Sequence, residues 1–180
     1  MNLARHDIVY KMFFLLLLIL LAPVAKSMKL NRWQFGEGEP TIAWGPTIEI
    51  DNAMFNINKT SIITPYLRIF DNNVEPGLFI KGGIYQYYCE RELQTKNYSD
   101  VYLIQNSNVK FAIKCIIGKR LLIYPRSTSG AKYFIRMMQL NQNVDIHHYW
   151  SDTQWKISSL GFDGIFRTMT AWNMMLEESL

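Results

Sequence analysis

Two cysteines in 180 residues are too few for a disulfide-scaffold miniprotein or a cysteine-built zinc module. Histidine is nearly as scarce, with three in the chain, and only His147 and His148 lie beyond residue 27. Neighbouring positions of a strand point to opposite faces, so this pair cannot grip one metal without a turn, even with Asp145 and Asp152 nearby. Gly-x-Ser-x-Gly, His-Glu-x-x-His and Gly-x-x-x-x-Gly-Lys-Ser patterns are all missing. A strong excess of one charge is missing too. The net charge is +4, and it falls to +2 once Arg5, Lys11, Lys26 and Asp7 of residues 1–27 are set aside. That balance is no footprint for nucleic acid. Nor is there an apolar run of the roughly 20 residues that a membrane-spanning helix needs.

The longest apolar run is Met12 to Ala22, eleven residues without a charge. Arg5 and Lys11 precede it, and Ala25-Lys26-Ser27 follows with the small-x-small pattern of a cleavage site. This is the layout of a secretory signal peptide. The expected organisation is a signal peptide over residues 1–27 and a single secreted β-rich domain over 28–180, about 150 residues being an ordinary domain size.

What is abundant is aromatic and β-branched. Aromatic residues make up 14% and apolar residues 49% of the chain, which excludes a disordered or low-complexity chain. Short runs of strand character alternate with turn signals, and no internal repeat is present. Thr47 to Asp51 alternates strictly. Ser61 to Phe70 reads as a strand that Pro65 pushes toward an edge or a bulge. Asp71-Asn72-Asn73 and Glu75-Pro76-Gly77 read as turns, as do Gly36 to Pro40 and Gly45-Pro46. Leu78 to Cys89 reads as a long strand, broken or bulged at Gly82-Gly83. Val101 to Gln105, Val109 to Ile117 and Arg120 to Tyr124 form a three-strand meander. Val109, Phe111, Ile113, Cys115 and Ile117 share its buried face, and Gly118-Lys119 suits a two-residue hairpin. Pro125 to Gly130 reads as a loop, and Ala131 to Leu140 and Trp155 to Ile157 read as further strands. Ile165, Met169, Trp172 and Leu176 change the period to that of a helix face, with Asp163 as its N-cap. The expected fold is mainly β, an antiparallel sandwich or barrel-like domain with one C-terminal helix packed on it.

An even cysteine count in an exported chain favours a bridge, so Cys89 and Cys115 are expected to pair. Asn58-Lys59-Thr60 and Asn97-Tyr98-Ser99 are N-glycosylation acceptors, with Asn97 in a polar stretch between strands. Arg91, Lys96, Lys110, Lys114, Lys119 and Arg120 are placed to line one outer face of the meander. That is either a solvated face whose lysines resist aggregation or a patch for an acidic partner or sulfated glycan.

No cofactor or metal is expected, and no enzyme. Glu49, Asp51, Glu90 and Glu92 are candidates for a secreted hydrolase only in being carboxylates. The leading expectation is a secreted extracellular binding protein acting through surface contacts with a receptor, coat or matrix partner. Its alternative is a carrier holding a lipid-like ligand in an apolar pocket between sheets. Nucleic acid and stable membrane insertion are not expected. Trp33, Trp44 and Trp150 stand in Gly-, Pro- or polar-flanked segments and are the candidate binding anchors. A tryptophan so placed is either an exposed anchor or a plug over the core.

Overall fold

The computed structural model describes residues 31–50, 60–82, 89, 98–116, 120–149 and 154–178. Among the described residues, ten strands form one antiparallel sheet. They are β1 (Gln34–Gly36), β2 (Glu39–Trp44), β3 (Ile48–Ile50), β4 (Ser61–Phe70), β5 (Asn73–Gly82), β6 (Tyr98–Ile104), β7 (Ser107–Ile116), β8 (Arg120–Pro125), β9 (Asn143–His148) and β10 (Gln154–Ser158). Two helices are described, α1 (Thr128–Leu140) and α2 (Phe162–Glu178). The spatial order is β1-β2-β4-β5-β8-β7-β6-β9-β10, with β3 beside β2 on the free side of β4. The fold is therefore mainly β with a C-terminal helix, as the patterning implies. The sheet curls far enough to bring β10 beside β3, but no ladder joins them, so it is not closed into a barrel.

The turns follow from local chemistry. Asp71 and Asn72 between β4 and β5, and Gln105 and Asn106 between β6 and β7, all have positive φ. Two such residues in succession make the hairpin turn whose twist matches the strands, and Asp and Asn tolerate that conformation best among non-glycine residues. Glu75-Pro76-Gly77 is not a turn; it lies inside β5. The reason is the ladder. Pro65 accepts from the Gly45 amide at 2.7 Å, so its backbone groups face away from β5. The Leu67–Pro76 pair, two residues along from Pro65–Leu78, has the same non-hydrogen-bonded character. The Pro76 nitrogen thus faces the side where β5 meets β8 only from Leu78 onward. Pro76 therefore deprives the sheet of no bond, and Pro65 faces Gly45 just past the end of β2, where it accepts a bond and returns none.

Ala131 to Leu140 is a helix, not a strand. Ser127 caps it, its hydroxyl accepting from the Gly130 amide at 3.1 Å. Gly130, Phe134, Ile135 and Met138 turn inward at helical spacing. Two smaller differences concern turns and caps. Ile116 pairs with Arg120, which leaves three residues between β7 and β8 rather than two. Helix α2 starts at Phe162, so Asp163 lies in its first turn. There it takes a hydrogen bond from Gln139 at 3.0 Å and pairs with Arg167 at 2.8 Å. The Gln139 hydrogen bond, with Arg167 behind it, lowers its pKa.

One face of the sheet carries the core. Ile63, Leu67, Leu78, Ile80, Phe111, Ile123, Ile104, Ile146, Trp155 and Ile157 point into it, and Phe134, Met138, Phe162 and Met169 of the helices meet them there. Cys89 and Cys115 are bridged, with Cα atoms 5.6 Å apart. Cys89 has helical rather than strand conformation, and it is buried at 3% exposure against the core. A bridge closing 26 residues stabilises by about 3–4 kcal/mol on the chain-entropy account.

Candidate functional site

Because side chains alternate along each strand, the registers define what the outer face presents. On β4 it is Ile62, Thr64, Tyr66, Arg68 and Phe70. These stand opposite Lys81, Phe79, Gly77, Glu75 and Asn73 of β5. Lys81 and Phe79 in turn stand opposite Arg120 and Leu122 of β8, and Leu122 and Tyr124 stand opposite Lys114 and Ala112 of β7. Trp44 of β2 joins the same face beside Tyr66.

The centre of this face is aromatic. Trp44 lies edge-on to Phe79 with ring centroids 5.9 Å apart and tilted to Tyr66 at 6.2 Å. Gly77 makes room for this packing, since a Cβ there would fall 2.5 Å from Tyr66 Cζ. Tyr66 is 3% exposed, and its hydroxyl finds no hydrogen-bond partner among the described residues. Burial pushes its pKa up, since an ionised phenolate would lose its water shell.

Cations frame the aromatics. Arg68 lies over Phe70 at 4.6 Å and over Tyr124 at 5.6 Å. Arg120 lies over Phe79 at 5.5 Å. Arg68 is neutralised by Glu75, with Nη2 and Nε at 2.8 and 3.1 Å from the same carboxylate oxygen. Lys81, Lys110, Lys114 and Arg120 are exposed. Among the described residues of β4, β5, β7 and β8, Glu75 is the sole carboxylate on this face. Glu49, on β3, stands at the far end of the Ile62–Lys81–Arg120 row. Lys110 also borders an open cleft of about 620 Å³ at the start of α1, shared with Arg126, Ser107, Ser127, Ser129 and Tyr133. The Arg126 amide donates to the Lys110 carbonyl at 2.9 Å, holding these two residues together.

The candidate anchors separate. Trp33 is 4% exposed, and its indole N–H donates to the Ser158 carbonyl at 3.0 Å. That corrects its reading as an exposed anchor: it is a plug, because Phe162, Gly45 and Pro65 enclose its ring. Trp44 is half-buried on the outer face. Trp150 lies outside the described residues, as do Asn58, Asn97, Arg91, Lys96, Lys119, Asp51, Glu90, Glu92, Asp152 and the signal segment.

His147 and His148 do point to opposite faces of β9. His148 turns inward and pairs with Asp100 at 2.6 Å, beside Tyr102 at 5.1 Å between ring centroids. Asp145 turns outward, 3.6 Å from Lys156. No group of three metal-ligating side chains occurs among the described residues, and none of the described helices is long and apolar enough to cross a membrane.

A second exposed feature is the end of α2. Trp172, Met174, Met175 and Leu176 are 39–55% exposed there, and Phe70 is 55% exposed on the β4–β5 hairpin. Asn173 ties the helix to that hairpin by donating to the Asn72 carbonyl at 2.9 Å. The helical spacing of Ile165, Met169, Trp172 and Leu176 implies one buried face. Of these, Met169 is buried and Ile165 half-buried, while Trp172 and Leu176 are exposed.

Comparison with protein-family models, with curated proteins and with solved structures returns no match.

Proposed function

We propose that this is a secreted, extracellular binding protein that acts through the outer face of β4, β5, β8 and β7 on a surface or matrix partner. The observation that carries the reading is the half-exposed aromatic centre of Trp44, Phe79 and Tyr124 within a frame of exposed cations. Aromatics with one wet side and charges that keep their water are what a recognition surface offers. The inner face supports the choice by contrast. A carrier needs a hollow there, and Phe134, Ile135, Met138, Phe162 and Met169 fill that space. Secretion rests on the signal-like segment, and the disulfide agrees with an oxidising compartment. N-terminal sequencing of exported material should begin within a few residues of Met28.

The test is binding of the labelled protein to the extracellular surface of its source cells. Phe79→Ala, Tyr124→Ala and the exposed Lys114→Glu should each weaken binding by threefold or more. Lys114→Glu should leave the melting temperature unchanged, since Lys114 is exposed on the outer face. Trp172→Ala, on the end of α2, should bind as the parent does. If Trp172→Ala abolishes binding while the three outer-face variants retain it, the site is the helix end and this reading is wrong.

A further inference from the structure

We infer that the occupant of this face is a sulfated polysaccharide, held along the track of Lys81, Arg120, Lys114 and Lys110. The inference rests on the binding role proposed for the outer face and names its ligand. Three observations converge on that chemistry.

The first is the layout of charge. Lys81 and Arg120 are direct partners across β5 and β8. Lys114 stands on the next strand, one step diagonally from Arg120, and Lys110 lies four residues further along β7. Strand spacing and rise place the first three within about 10–12 Å of one another and add about 13 Å to Lys110. Arg126 stands beside Lys110 at the cleft and adds a cation at that end of the line. This is a line of cations along a surface rather than a cluster at a point, so it matches a linear polyanion. Glu75 is already taken by Arg68, and Glu49 stands only at the far end of the track.

The second is the type of cation. Three of the four are lysine, a strongly hydrated point charge. Lysine is depleted from protein–protein interfaces, and it suits sulfate groups that keep part of their water. The third is the aromatic strip beside the track. Phe79, Trp44 and Tyr124 are half-exposed and offer ring faces to the C–H faces of sugar rings. A small ligand would need a deeper hollow.

The probe is a heparin-derived dodecasaccharide, titrated against the intact protein. A fully desulfated dodecasaccharide, oligothymidylate of equal charge and polyglutamate run alongside it. The sulfated sugar should bind, and about 50-fold more weakly at 200 mM than at 50 mM salt, if four contacts release counterions as on a single-stranded polyanion. Replacing Lys81, Lys110, Lys114 and Arg120 together by Ser should cost about 15-fold or more. Each exposed contact accounts for about two- to fivefold of that. Replacing Lys132 and Arg136 of α1 by Ser removes two cations elsewhere and should change affinity less than twofold. That control separates the track from net charge.

Equal binding of the desulfated sugar would overturn the inference, as would indifference to the fourfold change. Tighter binding of oligothymidylate would overturn it in favour of nucleic acid, and tighter binding of polyglutamate in favour of an acidic protein. Enzymatic removal of sulfated glycans from the source cells distinguishes the two levels. If cell binding survives that treatment yet is still lost in Phe79→Ala, the outer face remains the site and only the ligand assignment falls.

Discussion

Trp33 is the sharpest place to test whether a loop tryptophan serves the core or a partner. Its ring stands edge-on to Phe162 at 5.0 Å between centroids. Its N–H holds the Ser158 carbonyl at 3.0 Å, and its amide holds the Leu160 carbonyl at 3.0 Å. Trp33 thereby pins the first described residues to the turn between β10 and α2. Truncation to Ala removes the ring, opens a cavity and strands the Ser158 carbonyl, a loss of about 3–5 kcal/mol. At roughly 2–4 °C per kcal/mol for a chain of this size, the melting temperature should fall by about 6–20 °C. A second substitution makes the argument specific to packing. A Cβ on Gly45 would lie 2.6 Å from Trp33 Cε2 and 2.7 Å from Pro65 Cγ, so Gly45→Ala overpacks the site and should cost about 1–3 kcal/mol. Combined with Trp33→Leu, the new methyl group finds space that the indole vacated. The double variant should be more stable than the sum of the singles by at least about 0.5 kcal/mol; the Pro65 contact keeps the rescue partial. Urea denaturation of the four proteins closes the cycle. Strict additivity, or a Trp33→Ala protein within about 0.5 kcal/mol of the parent that no longer binds its partner, would refute the plug.

Tyr66→Phe removes a buried hydroxyl that has no partner among the described residues and should stabilise by about 1–3 kcal/mol, seen as a higher melting temperature. Because burial raises the folded-state pKa of Tyr66, its contribution is fully present below the unfolded value of about 10 and is lost as pH rises beyond it. Alkaline unfolding should therefore be less steep in Tyr66→Phe, and identical curves would contradict the burial argument. Replacing Cys89 and Cys115 together by Ala should cost about 3–4 kcal/mol in urea denaturation, and an unchanged midpoint would show that the bridge constrains little. Ser127→Ala should cost about 1 kcal/mol through loss of the α1 cap; no loss of stability would contradict that capping role.

Much of the sheet was legible because its chemistry is local. The β-branched and aromatic composition of Ser61 to Phe70, the alternation over Val109 to Ile117 and the Asp-Asn turn after Phe70 follow from backbone sterics and the period of a strand. The pairing of Cys89 with Cys115 followed from counting. Ala131 to Leu140 misled because its short, dense apolar run fits a buried strand as well as a helix. The signal that separates them was present in Ser127 as a cap three residues before Gly130, and in the four-residue spacing of Phe134 and Met138. Glu75-Pro76-Gly77 misled because Pro and Gly mark turns only where the chain has no ladder to join. Here Pro76 points to an unpaired edge, and Gly77 leaves room for the Tyr66 ring.

The sequence by itself determined that the chain is β-rich, that it ends in a helix, that its two cysteines pair and that Lys110 and Lys114 share the side of β7 away from the core. Tertiary structure alone decided which tryptophan is buried. Trp33 and Trp44 have similar loop-like surroundings in sequence, yet the turn before α2 encloses one while the other lies on an open face. It also decided that Lys81 joins Arg120 and Lys114. Lys81 lies 33 positions from Lys114 and 39 from Arg120 in the chain, and only strand register brings them together. Register is a property of pairs of strands, fixed by the hydrogen-bond ladder and by which face each strand buries.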